Sequence, residues 1–67
     1  MKNAKTMFEE LGYKEDFHIA YIKYHNSEED KYIWFNKASR TVEAEFDIDM
    51  KLLKAINKQI EELDWNE

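Results

Sequence analysis

The sequence has no cysteine and no proline, one glycine (Gly12) and one arginine (Arg40). Without cysteine there is neither a disulfide framework nor a thiolate metal site, so the usual staples of very small secreted domains are excluded. A single glycine rules out a glycine-rich phosphate loop. A single arginine leaves one planar fork for bidentate recognition of phosphate or guanine. No apolar run approaches the roughly 18 residues of a membrane span, and the opening MKNAKTMFEELGY lacks a signal-peptide stretch. The expectation is a cytoplasmic protein with no membrane partner. Positive charge is also scarce: 10 Lys and Arg against 15 Asp and Glu give a formal net charge of −5. Attraction to phosphate backbones or anionic lipid needs the opposite balance, so this charge argues against a nucleic-acid partner.

Apolar residues make up 43% of the 67 positions and aromatics 15%, a globular composition despite 37% charged residues. The length suits one domain over 1–67 with one core. A chain of this size buries only about 60% of its unfolded surface, so stability must come from packing alone or from packing plus self-association.

Ala4, Met7, Phe8 and Leu11 recur at helical spacing and share one face of a short helix. Asn3 suits its N-cap, Gly12 its left-handed end, and Tyr13 folds back towards Phe8 as in a Schellman motif. FHIAYIKY (17–24), KYIWFN (31–36) and TVEAEF (41–46) are rich in β-branched and aromatic residues and read as three strands. The polar stretches 26–30 and 37–40 serve as hairpin loops. In the last strand Val42, Ala44 and Phe46 alternate with Thr41, Glu43 and Glu45, which identifies the inner side. A turn at 37–40 that pairs Phe35 with Val42 puts Ile33 opposite Ala44, so Ile33 and Phe35 are buried while Tyr32 and Trp34 face outward. On the first strand Ala20, Ile22 and Tyr24 are the inward set, since Lys23 interrupts the other.

Asp49 suits the N-cap of a final helix whose apolar positions Leu52, Leu53, Ile56, Ile60 and Leu63 lie within roughly 100° of arc. Lys51, Lys54, Lys58, Glu61 and Glu62 take the solvent side. The helix is expected to end near Leu63, with Trp65 turned back onto the core. Glu61-Glu62-Leu63-Asp64-Trp65 echoes Glu9-Glu10-Leu11-Gly12-Tyr13, one capping solution used twice. The expected fold is α+β in the order α-β-β-β-α, a three-stranded antiparallel meander with both helices packed on one face.

The segments MFEELGY (7–13), YIWFNK (32–37) and AINKQIEELDW (55–65) resemble small uncharacterised proteins encoded by phages and prophages of Gram-positive bacteria. The similarity runs from end to end and implies a phage or prophage origin and a host-cytoplasmic location. It brings no activity, cofactor or catalytic residue with it. Asp64 departs from the pattern, which expects glycine there.

Catalytic chemistry finds little to work with. His18 and His25, seven residues apart, fall on opposite faces of a continuous strand and cannot share a metal there; zinc needs three or four convergent ligands. Ser27 and Ser39 lie in turns, with no cue linking them to a histidine and an orienting carboxylate. Carboxylates are plentiful, but so small a domain has little room for a ligand-sized cleft. No catalytic residue, metal or cofactor is expected, and the chain reads as a non-enzyme.

The constellation that stands out is the outward row of Tyr21, Tyr32 and Trp34, with Ile19 beside it. Rings with a polar tip are enriched at binding surfaces, where they bury area at low entropic cost; cross-strand pairing on a solvated face is the plainer explanation. The functional expectation is a non-enzymatic accessory protein that contacts a host or phage protein, or a second copy of itself as a homodimer, through the open sheet face. The alternative is a nucleic-acid-associated protein stacking bases on the same rings, although Glu43 and Glu45 share that face and repel phosphate.

Overall fold

In the computed structural model, which describes residues 2–65, the Asn3 side chain starts the first helix by accepting the Thr6 N–H at 2.9 Å. Met1, Asn66 and Glu67, the ends of the expected domain, lie outside the described residues. The elements are α1 (Ala4–Glu10), β1 (Lys14–Phe17), β2 (Tyr21–Asn26), β3 (Lys31–Asn36), β4 (Thr41–Ala44) and α2 (Met50–Glu62). α1 closes as its spacing predicts. Gly12 adopts φ +93, its N–H donates to Glu9 O at 3.0 Å, and the Tyr13 N–H donates to Phe8 O at 2.9 Å. The Phe8 and Tyr13 rings meet edge to face at 5.8 Å.

The second helix ends on the same device. Asp64 takes φ +59 and donates to Glu61 O at 3.0 Å, and Trp65 donates to Ile60 O at 3.1 Å. Trp65 then returns to the core, its ring 6.3 Å from Phe35. Asp49 caps the start by accepting the Leu52 N–H at 2.9 Å. Glu62, on the solvated side, reaches across to accept the Ala4 N–H at 2.8 Å and so occupies a free donor at the start of α1.

The sheet is antiparallel in the order β1-β2-β3-β4, with four strands where the sequence suggested three. The expected strand 17–24 spans a turn: the His18 N–H donates to Tyr21 O at 2.9 Å, and Ile19 and Ala20 bend the chain back. Ala20 is therefore exposed in the turn rather than buried. β1, KEDF, has a poor strand composition, and it pairs because β2 offers it a ladder from Lys14↔His25 to Phe17↔Ile22. Charged residues on an edge strand also discourage unwanted pairing with other chains. Phe17, 63% exposed at this edge, lies under the Lys37 ammonium at 4.1 Å and does not join the core.

The remaining register follows the sequence: Phe35↔Val42, Ile33↔Ala44, Ile22↔Phe35 and Tyr24↔Ile33. Ile22, Tyr24, Ile33 and Phe35 are buried on the inner face against Phe8 of α1 and Leu52, Ala55 and Ile56 of α2, so both helices cover that face. β4 ends at Ala44, yet Phe46 still packs against the core as expected. On α2 the buried stripe centres on Leu52, with Ala55 and Gln59 on one flank. Leu53, about 100° round the helix from Leu52, falls at the margin and is 37% exposed, contrary to its expected place in the stripe.

One core side chain carries a polar tip. Tyr24 is fully buried and stacks on Phe8 at 3.8 Å; its hydroxyl sits 2.9 Å from Glu15 Oε2 and 2.6 Å from Gln59 Oε1. Burial, and then the hydrogen bond to the Glu15 carboxylate, push the phenol well above its usual pKa. Below about pH 10 both folded and unfolded chains keep this proton and the stabilisation is complete. Above it only the unfolded chain loses the proton, so stability falls by at most about 1.4 kcal/mol per pH unit. Tyr24→Phe is expected to lose about 1 kcal/mol at neutral pH and to show a shallower alkaline decline. Urea denaturation of both proteins between about pH 8 and pH 11 checks this; identical alkaline slopes would contradict it.

Candidate functional site

Side chains alternate along a strand, so burial of Ile22 and Tyr24 turns Tyr21, Lys23 and His25 to the face without helices. The same alternation on β3 turns out Tyr32 and Trp34. The register aligns Asp16, Lys23, Trp34 and Glu43 across all four strands, and Lys14, His25 and Tyr32 across three. Trp34 and Tyr21 rings lie 5.1 Å apart. Lys23 Nζ sits between the two β3 rings, 5.3 Å from Trp34 and 5.6 Å from Tyr32, and 3.6 Å from Asp16 Oδ2.

Both histidines extend this array. His18 stacks on Tyr21 at 4.3 Å, and His25 lies nearly parallel to Tyr32 at 4.2 Å. The expectation that they occupy opposite faces fails because the turn at 18–20 breaks the strand that the count of seven assumed. They flank opposite ends of one face. His18 Nε2 lies 3.1 Å from Asp16 Oδ1, and this hydrogen bond, followed by the charges of His18 and Lys23, holds Asp16 below its ordinary carboxylate range. His25 Nε2 is buried without a hydrogen-bond partner among the described residues, 3.6 Å from Asp30 Oδ1.

Tyr21, Tyr32 and Trp34 thus come together as the alternation implied, with Tyr32 39% exposed and the other two half-buried. Ile19 does not join them on a strand; it sits in the β1–β2 turn, 95% exposed. Lys23, which the sequence already turned outward, stands beside the rings as part of the array, and His18 and His25 join it. No sequence signal pointed to the histidines, because their stacking depends on the turn at 18–20 and on the β2–β3 register.

Beyond Ala44 the chain leaves β3, and a cleft of about 330 Å³ opens on the β4 side of the rings. Tyr32, Trp34 and Phe46 supply its apolar lining, and Asp30, Glu43 and Glu45 its carboxylates. Among the described residues no group of three or more His, Cys, Asp or Glu is placed to hold a metal ion, and no helix is long and apolar enough to cross a membrane. No protein family, curated protein or solved structure matches the chain in comparison.

Proposed function

We propose that the chain is a non-enzymatic phage or prophage accessory protein that acts in the host cytoplasm by binding a host or phage protein, or a second copy of itself, through the outward face of the sheet. The observation that carries this reading is the contiguous array of Tyr21, Trp34, Lys23 and Tyr32 on a face that neither helix covers. Aromatic anchors surrounded by polar groups are the composition of binding hot spots. The proposed origin rests on the resemblance read in residues 7–13, 32–37 and 55–65 alone, and the cysteine-free composition suits a reducing compartment.

Affinity capture from lysogenic or phage-infected Gram-positive cells tests it, with the native chain and Trp34→Ala as paired baits. Trp34→Ala is expected to keep the monomer folded, losing about 1 kcal/mol of cross-strand ring contacts. The partner captured by the native chain, or its self-association in sedimentation, should disappear. Undiminished association with the alanine bait sinks the proposal.

The second reading, base stacking, draws on Lys23 lying between two rings, a pairing of cation and aromatic also used by single-strand binders. Asp16 and Glu43 on the same face, Glu45 in the adjoining cleft and the net charge of −5 oppose it. No binding to single- or double-stranded DNA is expected even at low salt, where electrostatic association is strongest. A salt-dependent mobility shift at micromolar protein would promote this reading over the first.

A further inference from the structure

We propose that the cleft between β3 and the 43–46 segment receives the guanidinium of an arginine side chain on the bound protein. The inference rests on the reading of the outward face as a protein-binding surface and specifies the chemistry of its partner. Carboxylates alone would describe a solvated edge. Here they border a recess walled by Tyr32 and Trp34, with a volume of about 330 Å³. That is near the lower limit for a small-ligand pocket, which suits one long side chain.

The charges around the recess are unevenly satisfied. Lys23, on the β2 side of Trp34, already faces Asp16 at 3.6 Å. Lys31, on the cleft wall, holds Glu29 at 2.7 Å and lies over the Phe46 ring at 4.9 Å. Lys23 and Lys31 are therefore matched by Asp16 and Glu29, neither of which lines the cleft. Glu43 and Glu45 have no cation within 4.0 Å among the described residues, and both line the cleft although the strand ends between them at Ala44. Trp34 has Tyr21 and Lys23 on its β2 side and the cleft on its β4 side.

A guanidinium meets these demands together. Its plane stacks on an aromatic ring, its fork of donors matches carboxylate oxygens, and it sheds water more readily than an ammonium does. An anionic or neutral side chain would leave Glu43 and Glu45 as they are or add repulsion. Charge complementarity thus selects a basic partner surface, and the ring wall selects arginine over lysine.

The test is a titration of acetyl-Gly-Arg-Gly-amide into the ¹⁵N-labelled full chain, followed by amide and indole chemical shifts. Parallel titrations use the neutral citrulline peptide and the lysine peptide. Saturable shifts are expected at the Trp34 indole N–H and the backbone amides of Tyr32, Glu43 and Glu45, with the Trp65 indole unmoved. Affinity should be in the millimolar range, and citrulline about tenfold weaker. The exposed pair Glu43→Gln and Glu45→Gln should weaken arginine binding about fivefold while spectral dispersion is retained. Citrulline or lysine binding as tightly as arginine, shifts that bypass Trp34, or no saturable shift would overturn the proposal. No partner protein is needed for this titration. Loss of the captured partner in Trp34→Ala together with a silent arginine titration would therefore reject the guanidinium alone. Arginine binding alongside undiminished capture would reject the broader reading while leaving the cleft assignment standing.

Discussion

Phe35→Ala is expected to destabilise the domain by about 3–5 kcal/mol, the range for truncating a buried phenylalanine. The ring is fully buried, with Phe8 at 6.1 Å, Tyr24 at 6.0 Å and Trp65 at 6.3 Å, so its loss opens a cavity where both helices meet the sheet. A core this small rarely supplies more than about 3–5 kcal/mol in total, so the variant should be largely unfolded. Its neighbour Trp34 has the larger side chain but faces outward, and Trp34→Ala should remain folded. Circular dichroism with chemical denaturation of the two variants tests the strand's facing directly. A stable Phe35→Ala beside an unfolded Trp34→Ala would mean that the proposed binding face is the true core.

Gly12→Ala should cost about 2 kcal/mol, whereas Asp64→Gly should be neutral or slightly stabilising. Both residues occupy the same position of the same capping motif, but their surroundings differ. Gly12 has φ +93, beyond the usual left-handed well, and a Cβ there would stand 3.2 Å from Asn26 Nδ2. Asn26 has little freedom to retreat: it is buried, and its side-chain oxygen accepts the N–H groups of Glu28 and Glu29, each at 3.1 Å. Asp64, at φ +59, lies in the left-handed region that Asp tolerates better than most side-chain-bearing residues. Urea denaturation of the two variants against the parent decides the matter. Equal stability of Gly12→Ala and the parent would remove the strain argument.

Each Schellman end is a local pattern of about six residues, and its hydrogen bonds depend only on nearby backbone. Both helix starts at Asn3 and Asp49 are local in the same sense. The alternation in 41–46 and the four-residue turn at 37–40 determined the β3–β4 register without knowledge of the rest, because a slip of one residue would have turned Val42 and Ala44 to solvent. That register placed Tyr32 and Trp34 together and outward.

The sequence by itself thus determined both helices, their caps, the inner face of β2 to β4 and the aromatic half of the candidate site. Tertiary structure decided the rest. Whether His18-Ile19-Ala20 continues a strand or turns cannot be judged from β propensity, because the turn is selected by pairing KEDF with β2, a gain realised only when the ladder forms. That pairing sets His18 beside Tyr21 and Asp16 beside Lys23, leaves Ile19 outside the array, and adds the fourth strand. The cleft is equally non-local. Glu43 and Glu45 were legible as outward carboxylates, but the recess exists because the chain departs from β3 after Ala44 to carry Phe46 to the core and Asp49 to the start of α2. Local pattern sets which way a side chain points, whereas packing between distant segments sets what it stands beside.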